Sequence, residues 1–375
     1  MMNSKTRLET AWAFKEPDRV PIEMSIPDYV KGLPGADNIV EFVENDADNF
    51  VGVPLFDWGF MGLDCRWNKD EVIEDIPGKY KRIRHSVETS AGEFYGITQR
   101  FYDVRDPNDF HWERRYIHTL SDFARLAEAE FNTRPFDRDA YNRECVKLGN
   151  RGIAATGVSH PLGTLVRSST MEEVYIWLIG EKKLTEKYLE KTNQQVVDSV
   201  LSLRDGEMSS PPVFLTWALE MLTPPWMGKK HFEQLVFPYD KRVNAAIHKI
   251  GGRHRAHSHG NSGQFLEMFA DMGIDSIEPL EPPPFGDNIL KEAKKKVGHR
   301  MLLSGNVPSQ AFFTLSREEV RDMTRRAIED AAAGGGFTLR LSGGGAGEGD
   351  TDEQAVMHID RTLAFIEAAL EFGRY

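Results

Sequence analysis

The stretch Arg253-His254-Arg255-Ala256-His257-Ser258-His259-Gly260-Asn261 lies between two segments of helical pattern, 229–250 and 264–271. A short run between two helices predicts a strand that leads into a loop. Because side chains alternate along a strand, His257 and His259 point to the same side of it. Two imidazoles that point together from the end of a strand form half of a metal site or an acid–base pair. The alternative is a structural pair that hydrogen-bonds to neighbouring loops.

Strand and helix patterns alternate along most of the chain. This alternation predicts a parallel sheet, and right-handed crossovers of this number close most simply into a (β/α)8 TIM barrel. An open doubly wound sheet is the alternative, but the first strand is not followed by a Gly-x-Gly-x-x-Gly motif. The predicted strands are the histidine stretch and residues 19–24, 51–56, 152–158, 212–218, 274–278, 300–306 and 337–342.

Residues 65–115 have a different pattern. The segments 79–89 and 94–102 both alternate between apolar and polar residues, and Ser90-Ala91-Gly92-Glu93 forms a turn between them. This pattern predicts a β-hairpin. We expect it to be an insertion that lies over one end of the barrel, within a single domain that spans residues 1–375. Its aromatic residues either shape the mouth of a substrate site or pack against the barrel.

Composition restricts the class of protein. The chain has 58 acidic and 46 basic residues, a formal net charge of -12, which argues against a nucleic-acid partner. No apolar run is long enough to cross a membrane, and the first twenty residues lack the pattern of a signal peptide. Cys65 and Cys145 are the only cysteines, so no disulfide framework is implied. We therefore expect a cytoplasmic protein with neither a nucleic-acid nor a membrane partner.

Polar residues follow several of the predicted strands at the same end. In (β/α)8 barrels the chemistry lies at the carboxyl ends of the strands, and this placement favours a functional role for the histidine pair. Glu220 is the better candidate for a buried carboxylate, whereas Glu281, in a proline-rich loop, is expected to be a solvated acid. The residues predicted to be catalytic are Glu220, His160, Glu278 and Asn306.

Several motifs, taken together, resemble those of the uroporphyrinogen decarboxylase superfamily. They occur in the expected order over most of the chain, and the resemblance implies a (β/α)8 barrel. The matching segments are Glu16-Pro17-Asp18-Arg19-Val20-Pro21-Ile22, His257-Ser258-His259-Gly260, Gly273-Ile274-Asp275, Glu281-Pro282-Pro283-Pro284-Phe285-Gly286-Asp287, Leu303-Ser304-Gly305-Asn306 and Gly334-Gly335-Gly336-Phe337.

The superfamily contains two chemistries. Porphyrinogen decarboxylases carry an arginine-rich stretch near the N-terminus that binds substrate carboxylates, whereas the first strand here runs Ile22-Glu23-Met24-Ser25-Ile26-Pro27 without cations. The other branch comprises zinc-dependent methyltransferases that exchange methyl groups with corrinoid proteins and carry a His-x-Cys motif with a distant Cys. His257 matches the first position and His259 replaces the Cys. The distant position falls within Ser342-Gly343-Gly344-Gly345.

The resemblance implies a Zn2+ site formed by His257, His259 and a carboxylate such as Glu220, which leaves a fourth coordination position open. The expected activity is transfer of a methyl group from a small methylated substrate, for example a methyl ether, to a corrinoid protein. One alternative is a metal-free decarboxylase of a small or tetrapyrrole carboxylic acid, with His257 or His259 as proton donor. Another is a ligand-binding or corrinoid-docking protein without catalysis.

Overall fold

The structure is a computed structural model, and it describes residues 1–104, 110–343, 345–349 and 351–375. Residues 105–109 of the predicted insertion and Gly344 lie outside the described residues. The strands in chain order are β1 (Ile22–Glu23), β2 (Asn49–Gly52), β3 (Cys65–Trp67), β4 (Glu71–Ile76), β5 (Tyr80–Thr89), β6 (Gly92–Phe101), β7 (His111–Arg114), β8 (Gly152–Gly157), β9 (Val213–Thr216), β10 (Arg253–Ser258), β11 (Ser276–Pro279), β12 (Leu302–Pro308) and β13 (Phe337–Ser342).

The α-helices surround the strands, and most of them follow a barrel strand. In chain order they are α1 (Ser4–Trp12), α2 (Ala36–Asn45), α3 (Leu120–Glu128), α4 (Arg138–Leu148), α5 (Pro161–Ser168), α6 (Met171–Gly180), α7 (Lys182–Leu201), α8 (Lys229–Leu235), α9 (Phe237–Lys249), α10 (Leu266–Met272), α11 (Leu290–Val297), α12 (Arg317–Ala331) and α13 (Asp352–Phe372). Within the described ranges, no helix combines the length and apolar character needed to cross a membrane.

Eight parallel strands form one sheet in the order β1-β13-β12-β11-β10-β9-β8-β2. Between the two end strands, the Asp48 amide donates to the Ile22 carbonyl at 2.7 Å, and the Asn49 side chain bonds both the amide and the carbonyl of Met24. These bonds bring the sheet round into a nearly closed barrel. The predicted (β/α)8 fold is therefore confirmed. As expected for a parallel sheet covered by helices, every residue of β12 is buried.

The structure differs from the sequence prediction at three helices. The helix predicted over 229–250 is two helices, α8 and α9, because Pro238 lies in the first turn of α9 and cannot donate the hydrogen bond that a continuous helix needs. Helices α4 and α5 were not predicted. Tyr141 is the only residue that α4 buries, so its sequence has almost no apolar periodicity.

The insertion forms its own antiparallel sheet. The predicted hairpin is confirmed as β5 and β6, which pair from Tyr80 opposite Phe101 to Thr89 opposite Gly92. Strands β3, β4 and β7, which were not predicted, extend it to five strands in the described part of the chain. Its residues Val87 and Phe94 are buried in the same apolar cluster as residues of the barrel, and this shared packing fixes the insertion against it.

Candidate functional site

His257 and His259 lie at the carboxyl end of β10. His257 is the penultimate residue of the strand, and His259 follows its last residue, Ser258. The centroids of the two rings are 4.5 Å apart, and the ring planes are inclined by 75°. The prediction that the two imidazoles lie together at a strand end is therefore confirmed by the geometry.

Each imidazole faces a glutamate from the β11 end of the barrel. His257 Nδ1 lies 2.9 Å from Glu278 Oε1, and His259 Nδ1 lies 2.9 Å from Glu281 Oε1. Strand register places His257 directly beside Glu278. A carboxylate at Nδ1 fixes the tautomer that carries its proton there, which leaves the lone pair on Nε2. We call His257, His259, Glu278 and Glu281 the histidine cluster.

Glu281 is buried, which corrects the expectation of a solvated acid. It is 4% exposed, and its carboxylate accepts hydrogen bonds from the Gly260 amide at 2.7 Å and from Gln310 Nε2 at 3.3 Å. Burial alone would raise its pKa, but the hydrogen bonds from His259 and from the Gly260 amide lower it below the usual value. Glu281 is therefore an anion that orients His259.

His257 is held in its neutral form. Burial lowers its pKa to about 4, and electrostatic interactions with His259 and Arg340 act in the same direction, while Glu220 opposes them. At neutral pH the ring is an imidazole rather than an imidazolium. This is the form that ligates metals, and it is not a form that can donate a proton as an acid from Nε2.

Two arginines, neither of them predicted, connect the histidine cluster to the barrel interior; Arg255 is buried and Arg340 is partly exposed. Arg255 Nη2 donates to Glu23 Oε2 at 2.7 Å, and Arg340 forms an ion pair with Glu278. Arg340 Nη1 also lies 3.7 Å from Glu23, so charges of opposite sign alternate through the barrel. Burial lowers the pKa of Arg340 to about 10, although Glu23 acts against the shift.

Glu23 is fixed by neutral donors as well as by the arginines. The hydroxyls of Ser304 and Thr338 donate to its Oε1 at 2.7 Å and 2.5 Å. Alternation along β10 is the signal that could have identified Arg255, because it lies two residues before His257 and therefore faces the same side. The sequence signal for Arg340 is weaker, namely a single cation within the buried strand β13.

Glu220 lies on a 3-10 turn, Leu219–Leu222, that follows β9. It is partly exposed rather than buried, but its Oε2 atom is buried and has no hydrogen-bond partner among the described residues. Its charge raises the pKa of His257, so the carboxylate is close enough to act on that ring. Glu220 thus approaches the histidine cluster with one carboxylate oxygen unsatisfied.

The two remaining predicted residues have different positions. Asn306, on β12, is 8% exposed and pairs in register with Arg340, which places it beside the charged network. His160 caps α5 after β8, and its Nδ1 lies 3.0 Å from Asp240 Oδ1 of α9, in a geometry that forms no hydrogen bond. The structure therefore groups Asn306 with the histidine cluster and gives His160 a different carboxylate neighbour.

A zinc site has suitable donors but is not preassembled. His257, His259 and Glu220 are donor types that zinc accepts, and both imidazoles have a carboxylate behind them, as metal-ligating histidines usually do. In the ranges that the structure describes, no three His, Cys, Asp or Glu side chains are gathered at metal-binding spacing. Glu220 must therefore move toward the rings to complete this set.

The fold and the site together define a (β/α)8 barrel with a charged cluster of histidine, glutamate and arginine at the carboxyl ends of its strands. The family model described as uroporphyrinogen decarboxylase (URO-D) matches residues 117–358. The chain belongs to this family. No curated protein matches the chain at a significant level.

Solved structures agree with the fold. A methyltransferase from Methanosarcina mazei is similar over 99% of both chains, with a TM-score of 0.59 and 15% sequence identity. At this identity the similarity supports the barrel architecture alone. A putative fructose-1,6-biphosphate aldolase from Coccidioides immitis covers 47% of this chain and 69% of its own, with 11% identity and a TM-score of 0.25, which is too low to carry an argument.

Proposed function

We propose that this protein is a zinc-dependent methyltransferase that moves a methyl group from a small methylated substrate, for example a methyl ether, to a corrinoid carried on a partner protein. The observation that carries the proposal is the histidine cluster with the unsatisfied Oε2 atom of Glu220 beside it. The methyltransferase from Methanosarcina mazei shares the barrel architecture, so the proposed class of reaction occurs on this fold.

The residues of the site have two roles, namely binding the metal and orienting the side chains that bind it. His257 and His259 would hold the metal through Nε2, and Glu220 would supply an oxygen. A bound zinc ion supplies a Lewis acid that stabilises negative charge on the leaving atom of the substrate. Glu278 and Glu281 keep the Nδ1 protons in place, and so keep both rings in one orientation.

Arg340 balances the charge of the glutamate behind His257. Its ion pair with Glu278 keeps that carboxylate from turning away from the ring. The buried hydroxyls around Glu23 hold the other side of the arginine network. These contacts come from rigid strand ends, so the two imidazoles do not need to rearrange before a ligand binds.

Zinc binding tests the proposal. The chelator-treated protein, titrated calorimetrically with zinc, is expected to bind about one ion per chain. His257→Ala is expected to lose this binding because it removes one of two fixed nitrogen donors, whereas His231→Ala, on the exposed surface of α8, is a matched control that retains it. Zinc binding that is equal in wild type and His257→Ala would reject the site.

Turnover separates catalysis from binding alone. The zinc-loaded protein, given Co(I) cobalamin and a panel of methyl ethers, is expected to form methylcobalamin, and His257→Ala is not. A protein that binds zinc but forms no methylcobalamin with any member of the panel would favour the docking or ligand-binding alternative.

A decarboxylase is the second candidate, because the matching family bears that description. It requires cations for the substrate carboxylate beside the histidines, where Arg255 and Arg340 are both already paired with glutamates. It also requires an acid, and the lowered pKa of His257 does not suit that role at neutral pH. Release of CO2 from a carboxylic acid at a rate unaffected by chelator would favour this candidate over methyl transfer.

A further inference from the structure

A pocket of about 380 Å3, separate from the histidine cluster, lies between the insertion and the carboxyl ends of β8 and β9. Trp112 and Tyr116 line it from the insertion side, and Trp217, which follows β9, lines it from the barrel. Trp217 remains 45% exposed, which is unusual for a side chain of this size. We call this space the insertion pocket. Its volume is in the range of small-molecule sites.

Two arginines line the insertion pocket without an acidic partner. Arg115 Nη1 donates to the main-chain carbonyl of Arg167 at 3.0 Å, and its guanidinium lies 5.0 Å from the ring centroid of Trp112. Burial and the nearby charge of Arg167 both lower the pKa of Arg115. Among the described residues, no carboxylate lies within ion-pair distance of either guanidinium. Within the described ranges, the guanidinium groups of Arg115 and Arg167 therefore concentrate positive charge here.

His160 gives the insertion pocket a buried imidazole whose Nδ1 lies 3.0 Å from Asp240 Oδ1 and whose Nε2 has no partner among the described residues. The residue is 5% exposed, and neither ring nitrogen makes a hydrogen bond within the described part of the chain. Its ring packs closely on Gly163, where a Cβ atom would lie 2.6 Å from the ring Cδ2 atom. The ring is thus held tightly with its Nε2 atom unsatisfied, and an unsatisfied buried polar atom is costly unless a ligand pairs with it.

We propose that the insertion pocket binds a planar organic anion, namely a carboxylate attached to an aromatic or conjugated ring. Arg115 and Arg167 bind the carboxylate, because guanidinium groups pair with carboxylates through two parallel hydrogen bonds. Trp217 and Trp112 contact the faces or edges of the ring. His160 provides a hydrogen bond to a polar substituent. This inference concerns binding by the protein alone and does not depend on zinc or methyl transfer.

Binding of four matched probes tests charge and planarity separately. Tryptophan fluorescence, to which Trp112 and Trp217 contribute among the seven tryptophans of the chain, is measured with benzoate, benzamide, cyclohexanecarboxylate and inorganic phosphate. Benzoate is expected to bind at least about tenfold more tightly than each of the others, since each lacks either the charge or the planar ring. Failure of benzoate to bind at millimolar concentration overturns the proposal. Phosphate or cyclohexanecarboxylate binding as tightly as benzoate overturns the part that specifies a planar ring.

Variants locate the bound probe. The double variant Arg115→Gln/Arg167→Gln is expected to weaken benzoate binding at least about tenfold. Arg143→Gln/Arg326→Gln removes the same charge from exposed positions on α4 and α12 and is expected to leave binding unchanged. An equal loss in the two double variants would contradict the proposal.

Trp217→Leu supplies a readout that does not depend on charge. Because Trp217 is 45% exposed and lies outside the buried core, the variant is expected to fold normally, and it should weaken benzoate binding measured by calorimetry. Unchanged benzoate affinity in Trp217→Leu would contradict the contact with the ring. Zinc content, measured on the same samples, is expected to equal that of wild type, so failure here is distinguishable from failure of the proposed function.

Discussion

The histidine cluster and the insertion pocket lie on the same barrel but differ in whether their charged side chains have partners. In the histidine cluster each imidazole has a carboxylate neighbour, and Arg340 pairs with one of those carboxylates. In the insertion pocket, Arg115 and Arg167 have no acidic partner among the described residues, and the buried ring of His160 has no hydrogen-bond partner there. Within the part of the chain that the structure describes, the first site pairs its charges internally, and the second leaves two guanidinium groups available to a ligand.

This contrast separates interactions that fix the orientation of side chains from interactions that provide affinity for a ligand. Matched charges at the ends of rigid strands fix the rings of His257 and His259, as a site that presents nitrogen lone pairs requires. The unpaired guanidinium groups of Arg115 and Arg167, beside exposed aromatic rings, acquire a counter-charge only when an anionic ligand binds. The same contrast predicts that removing one member of a matched pair destabilises the fold, whereas removing an unmatched arginine does not.

The largest effect on stability is expected at the matched pair deepest in the barrel. Glu23→Ala leaves the buried guanidinium of Arg255 without its anion, and breaking a buried pair in this way costs about 3–5 kcal/mol in the free energy of unfolding. Denaturant titration measures the loss. Glu190→Ala removes an acid from the exposed pair with Arg242 and is the control, with an expected loss below about 1 kcal/mol. Similar losses in both variants would remove the distinction between buried and exposed pairs.

The next effect concerns zinc affinity rather than folding. Glu281→Ala removes the carboxylate behind His259, and loss of such an orienting group lowers metal affinity by about 10–100-fold. Competition with a chelator of known affinity measures the change. Glu267→Ala, exposed on α10, is the matched control with unchanged affinity. Equal zinc affinity in the two variants would mean that Glu281 does not orient a ligand.

The smallest effect is expected in the insertion pocket. Arg167→Gln removes an exposed cation that repels Arg115 and pairs with no described carboxylate, so the free energy of unfolding should change by less than about 0.5 kcal/mol. Thermal and denaturant unfolding measure it. A loss comparable to that of Glu23→Ala would show that Arg167 has a structural role, and the contrast between the two sites would fail.

The barrel was predictable from sequence because its strands and helices alternate with clear apolar patterns. The errors of the sequence prediction are confined to individual strands and helices. The second barrel strand was predicted over 51–56 but occupies Asn49–Gly52, because Pro54 cannot take part in a ladder of hydrogen bonds. Helix α4 was missed because it buries a single residue. Strand and helix patterns report burial, so elements with little burial leave little signal.

The candidate site was predictable in position but not in its pairing. Alternation placed His257 and His259 together, and the barrel rule brought Glu278 to the same end. The sequence could not reveal that Glu281 is buried against His259, because the proline-rich loop that contains it has no periodicity. Nor could it reveal the partners of Arg255 and Arg340, since Glu23 is distant from both along the chain.

X-ray absorption at the zinc edge of the zinc-loaded protein tests directly whether His257 and His259 are zinc ligands. We expect a first shell of nitrogen and oxygen atoms with the outer-shell scattering of two imidazoles, and His257→Ala should lose this signal. A shell that contains sulfur would indicate Cys65 or Cys145 as a ligand and would contradict the account. So would a shell with no imidazole, because His257 and His259 would then serve some other purpose at the mouth of the barrel.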